Sequence, residues 1–225
     1  MNFPLSLAGL SLFLLSGTMW ATEVPVPLLN ASFEEVEEGL LPQPKQWQAA
    51  IGHPNTYDVT EHDALGAADG KMALLCAVSD YAAVSQLTST PLIPGASYKL
   101  SAKFLPRVSK EAQSGGFWLR LLVRNTANPA DAHIVANVAG GAETLSPGEW
   151  TAKNISWTAP AALDAVPIIS SGITGMKPDA SKDLSSGSYV LEILVGSSFP
   201  LRNPEETTLF QTWIDSVTFT QSTPQ

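Results

Sequence analysis

Thr212-Trp213-Ile214-Asp215-Ser216-Val217-Thr218-Phe219 is the stretch that decides the fold. Apolar and polar residues nearly alternate in it, and β-branched residues dominate. Side chains of a strand point to opposite faces in turn, so this pattern predicts a half-buried β-strand. Asp215, set between Ile214 and Val217, needs partners, because a lone charge beside a core is costly.

The same alternation recurs upstream. Within 188–195, Tyr189, Leu191, Ile193 and Val195 share one face. Within 96–105, Tyr98, Leu100, Ala102 and Phe104 oppose Lys99, Ser101 and Lys103. Within 117–124, Phe117, Leu119, Leu121 and Val123 oppose Trp118, Arg120, Leu122 and Arg124. Shorter strands are expected at 28–34, 56–60, 71–78, 82–87, 134–138 and 149–158, and 23–27 reads as an extended lead-in because of its prolines. Pro94-Gly95 and Pro147-Gly148 mark turns. Residues 160–187 carry few strand signals and read as a long irregular insertion. About ten short strands with no long amphipathic helix predict an all-β sandwich of two antiparallel sheets.

The chain has 225 residues and a formal net charge of −9, with 12 Lys and Arg against 21 Asp and Glu. One domain over 22–225 is the simplest division. Nucleic acid is not an expected partner, since phosphate binding calls for clustered cations. Residues 1–21 resemble a secretory signal: an apolar stretch over 5–15 precedes Ser16-Gly17-Thr18-Met19-Trp20-Ala21. No Lys or Arg precedes the apolar stretch, and Met19 would occupy the −3 position of a cut after Ala21. The stretch is too short to span a membrane and no second one follows, so a secreted, periplasmic or cell-surface protein without a membrane span is expected. Cys76, the single cysteine, lies in an apolar run and reads as a small buried hydrophobe.

Several motifs together resemble a known family. They are Asn30-Ala31-Ser32-Phe33-Glu34 with Trp47, Gly70-Lys71-Met72-Ala73-Leu74, 94–102 (PGASYKLSA), Pro147-Gly148-Glu149-Trp150 and Ile214-Asp215-Ser216-Val217. In order and spacing they resemble carbohydrate-binding modules of the family 4, 9, 16 and 22 type, within the galactose-binding-domain-like jelly rolls. The resemblance covers most of 28–220 apart from 160–187. It implies a structural calcium ion held by Glu34 and Asp215, with carbonyls near Lys71 and the help of Asp69. Ser216 stands where the family pattern has a second acid.

The resemblance also implies a carbohydrate partner on a concave sheet face. Trp118 is the expected stacking platform, with Arg120, Gln86 and Glu192 as polar help. A competing reading buries Trp118 beneath the 160–187 segment and pairs Arg120 with Glu192. Tyr57 and Tyr81 are secondary candidates, while Trp47, Trp150 and Trp157 read as core. No catalytic residue is assigned: His53, His62 and His133 lack a metal-ligand spacing, and no nucleophile or phosphate-loop motif is present. The expected function is therefore an exported, non-catalytic carbohydrate-binding protein. Its rivals are a structural or adhesive protein of the same fold and, more distantly, a polysaccharide-active enzyme.

Overall fold

The computed structural model describes residues 22–52, 54–78, 82–107, 112–170, 175–197 and 209–223. The expected signal segment, His53 and Tyr81 lie outside them. In chain order the strands are β1 (Glu23–Val26), β2 (Val36–Glu37), β3 (Gln43–Pro44), β4 (Gln48–Ile51), β5 (Asn55–Asp58), β6 (Met72–Val78), β7 (Ala82–Pro91) and β8 (Ser97–Arg107). They continue as β9 (Ala112–Ser114), β10 (Phe117–Asn125), β11 (Ala132–Gly140), β12 (Thr151–Thr158), β13 (Val166–Ile168), β14 (Ala180–Lys182), β15 (Tyr189–Ser197) and β16 (Leu209–Ser222). A short helix, α1 (Val59–His62), follows β5, with Asp58 as its N-cap.

Two sheets face each other, as the alternation predicts, in a jelly-roll sandwich. The first runs β12-β8-β16-β6-β5, with β1 and β9 also paired to β16. The second runs β11-β10-β15-β7-β4. The three alternating faces read from the sequence all point inward. Tyr98, Leu100, Ala102 and Phe104 from β8 pack with Phe117, Leu119, Leu121 and Val123 from β10 and with Leu191, Ile193 and Val195 from β15. Cys76 is fully buried among them, and burial pushes its thiol up to about 12, which leaves it inert at neutral pH. Among the described residues no helix is long and apolar enough to cross a membrane.

Two expectations need correction. Residues 28–34 are a turn, and the N-terminal strand lies earlier, at Glu23–Val26. Asn30 and Phe33 adopt φ of 50° and 58°, in the left-handed region that ends a strand. Asn30 stabilises the turn locally, since its side chain donates to the Glu35 and Lys45 carbonyls and accepts from the Glu35 amide. The 160–187 segment is also more ordered than expected. It holds the β13–β14 hairpin and sends Val166, Ile168 and Leu184 into the main core.

The closing strand hides a phase change. Ile214 faces the core, yet so do Val217 and Phe219. The pairing of β16 with β8 slips between Asp215 and Thr218, and Ser216 there has φ of 50°. This is a β-bulge, in which an extra residue reverses which parity of side chain is buried.

Candidate functional site

The four residues expected to bind sugar do not form one surface. Trp118 is fully buried on the outer face of the second sheet. Its indole N–H donates to Asn137 Oδ1 at 2.5 Å, and Asn137 in turn donates to the Gly175 carbonyl at 2.5 Å. The Arg120 guanidinium lies 4.3 Å from the Trp118 ring centroid, and burial lowers its pKa to about 10. Trp118 is thus buried, as the competing reading has it, and Asn137 links its indole to Gly175 of the 160–187 segment. Glu192 is 7% exposed and pairs with Arg124, at 2.5 Å to its Nη2 and 2.7 Å to its Nε, instead of with Arg120. Gln86 is on the inner face, not the outer one. It follows Val84 in phase and ties down the N-terminal turn through Leu29 N–H, the Leu29 carbonyl and the Gln46 carbonyl. The platform expected at Trp118 is therefore closed, because its ring and polar neighbours are already used by the protein.

Glu34 and Asp215, the expected calcium ligands, both reach the loop that leads into β6. Glu34 Oε1 accepts the amides of Lys71 at 2.9 Å and Met72 at 2.8 Å. Asp215 is fully buried, and its two oxygens accept the amides of Asp69 at 2.8 Å and Ser216 at 2.5 Å. Gly70 sits between them with φ of 69°, and a Cβ there would collide with the Glu34 carboxylate. The Lys71 carbonyl is engaged by the Val59 amide. A calcium shell needs several carbonyl and carboxylate oxygens converging on one point. Here the loop turns N–H donors toward the carboxylates, and no group of three or more metal-binding side chains gathers among the described residues. The arrangement does not fit calcium; it fits a hydrogen-bonded clasp joining the turn after β1, the loop before β6 and β16. Dialysis against a chelator is expected to leave the melting temperature unchanged at pH 7. A rise of several degrees on adding millimolar calcium would overturn this.

A cleft of about 410 Å³ lies elsewhere, on the outer face of the first sheet. It is lined by Asn55 and Tyr57 from β5, Leu75 from β6, Gln211 from β16, Arg107 from the end of β8, and His62 from α1. These four strands are neighbours, so the lining crosses roughly 14 Å of sheet at the usual strand spacing. Register explains the placement. Asn55 pairs with Leu75, Leu75 with Trp213, and Trp213 with Leu105, forming one row across the sheet. Asp58 caps α1 through the Thr60 amide and hydroxyl, which turns His62 back over that row. His62 stacks on Trp213 at 6.3 Å, Tyr57 meets His62 edge-on at 5.6 Å, and Arg107 lies 5.7 Å from the Trp213 ring centroid.

Trp213 is fully covered and lies beneath His62 and Arg107, which line the cleft. Its indole N–H and the Gln211 Oε1 are both buried and have no hydrogen-bond partner among the described residues. Buried polar atoms without partners are uncommon in folded proteins, and Gln211, which carries one of these two, lines the cleft. Of these residues only Tyr57 is a candidate from the sequence, and a secondary one. The signal for the others was present in β16, where Gln211 and Trp213 share a face two residues apart, but it points to no partner strand by itself.

No protein-family model matches the chain, and no curated protein matches it. Similarity is found among solved structures. A family 16 carbohydrate-binding module aligns at 12% identity and a TM-score of 0.45, covering 85% of this chain and 96% of its own. TmCBM61, solved in complex with β-1,4-galactotriose, aligns at 13% identity and 0.42, covering 86% and 97%. The CBM22-1 xylan-binding domain of Xyn10C from Paenibacillus barcinonensis aligns at 11% and 0.45, covering 87% and 94%. At these values the fold rests on the observed sheet topology itself, and the site rests on its own residues.

Proposed function

We propose that this is an exported, non-catalytic carbohydrate-binding protein whose saccharide site is the cleft of Tyr57, His62, Arg107 and Gln211. The observation that carries the reading is the composition of that cleft. Sugars need an aromatic surface for their C–H faces and amides or guanidinium groups for their hydroxyls. Tyr57 and His62 supply the first, and Asn55, Gln211 and Arg107 supply the second. Export rests on the resemblance of residues 1–21 to a signal segment.

Affinity electrophoresis through gels containing neutral and acidic polysaccharides tests the reading. Tyr57→Ala is expected to weaken retention roughly tenfold, the effect of losing one stacking ring. Retention of Tyr57→Ala equal to that of the parent would remove the cleft from consideration. The burial of the Trp118 face favours a second reading, a structural or adhesive protein of the same fold. It predicts that the parent is retained by no polysaccharide in the panel.

A further inference from the structure

We infer that the cleft selects saccharides carrying a carboxylate, such as uronic-acid polymers, with Arg107 as the residue that reads the charge. This rests on the proposal that the cleft binds saccharide at all, and it names the class.

The chain carries 21 acidic residues against 12 Lys and Arg, yet among the described residues no Asp or Glu lines the cleft. The one permanently charged side chain among the described lining residues is Arg107. The described acids adjacent in sequence to lining residues are directed elsewhere. Asp58 spends its carboxylate on the Thr60 amide and hydroxyl at the start of α1, Glu61 is exposed on that helix and outside the lining, and Asp63 accepts the Leu65 amide. A cation-lined recess on an acidic molecule is a local reversal of field, which attracts an anion only where the anion also fits.

The state of Arg107 adds a second observation. Its guanidinium lies over Trp213 and has no carboxylate partner among the described residues, whereas Arg124 is paired with Glu192. Packing on the indole presents the guanidinium at the cleft wall. A planar guanidinium matches a carboxylate through two parallel N–H bonds, which a hydroxyl cannot reproduce. Beside it, Gln211 and Asn55 supply amides and Tyr57 supplies a ring. The cleft therefore combines one anion fork with the groups a sugar ring needs.

The test compares charged and neutralised forms of the same polymers. Polygalacturonate, alginate and hyaluronate are each set in affinity gels beside their methyl esters, which keep the ring and linkage and remove the charge. The parent protein is expected to be held at least tenfold more strongly by an acid form than by its ester. This is the size of effect a charge-assisted hydrogen-bonded pair supports. Arg107→Gln should lose that preference and Arg107→Lys should keep part of it, with both variants melting like the parent. Equal retention of acid and ester, still abolished by Tyr57→Ala, would overturn the selectivity and leave the saccharide cleft standing. An acid preference that persists in Arg107→Gln would also overturn it. Failure of every saccharide, neutral or acidic, to retain the parent would sink the saccharide cleft and this inference with it.

Discussion

Trp118→Ala is expected to lower the unfolding free energy by about 3–5 kcal/mol, the usual cost of deleting a large buried aromatic, and to leave saccharide binding unchanged. The indole is wholly buried, donates to Asn137 and carries Arg120 on its face. Its removal would open a cavity against Ala83 and Leu194, which pack with it. It would also strip Arg120 of its stacking partner and leave the Asn137 Oδ1 without its donor. Trp118→Phe keeps most of the packing and loses the hydrogen bond, so a smaller loss of about 1–2 kcal/mol is expected. Urea denaturation of the two variants beside the parent measures both numbers. A Trp118→Ala protein as stable as the parent, but unable to bind polysaccharide, would return this tryptophan to the role of an exposed platform.

Asp215→Asn is expected to cost about 1–3 kcal/mol, the price of an unmet buried donor, and to flatten the dependence of stability on pH. An asparagine offers one acceptor where the carboxylate offers two, so either the Asp69 or the Ser216 amide meets an NH₂ group instead. The pH dependence follows from burial, which pushes the Asp215 carboxyl up to about 6 against the pull of its amide donors. The folded pKa is raised, so between about 6 and the unfolded value near 4 the folded chain holds a proton that the unfolded chain has released. This contribution is complete below pH 4 and is lost as the pH rises through 6. At most it amounts to about 3 kcal/mol. The deficit of Asp215→Asn should therefore be largest near pH 5 and narrow toward pH 8. Urea denaturation at pH 5, 6, 7 and 8 reads it out. Parallel profiles for variant and parent would show that Asp215 does not titrate in this window.

How much of this was legible beforehand depends on the range of the signal. The inward faces of β8, β10 and β15 follow from alternation within nine to eleven residues, and local alternation is what a sequence displays most directly. The clasp was legible as a pair of carboxylates, but its chemistry was not. Whether Glu34 and Asp215 meet carbonyls or amides depends on how the peptide planes around Gly70 turn, and no side chain announces that. The turn at 28–34 was misread because Leu28, Leu29 and Phe33 suggest a strand, while Asn30 overrides them by bonding to its own neighbours. The short helix α1 had a readable signature in Asp58 and Glu61, a cap followed three residues later by an acid. The cleft was the hardest to foresee. It draws on five elements between Asn55 and Gln211, and only the strand order brings them together. Trp118 misled for the opposite reason. A tryptophan that shares an outward face with two arginines looks solvated, yet it is buried, with Ala83 of β7 and Leu194 of β15 packed against it.

The position of β16 also bears on when the molecule can form. It lies in the middle of its sheet, flanked by β8 on one side and by β6 and β1 in succession on the other. It is also the last strand to be synthesised among those described. Among the described residues the earliest strand, β1, pairs only with this latest one. Until β16 is made, β8 lacks one of its two described neighbours. Contacts of such long sequence separation slow folding. Among the described strands, the central one of the first sheet is therefore the last to be made, and β8 and β6 gain their shared neighbour only when it emerges.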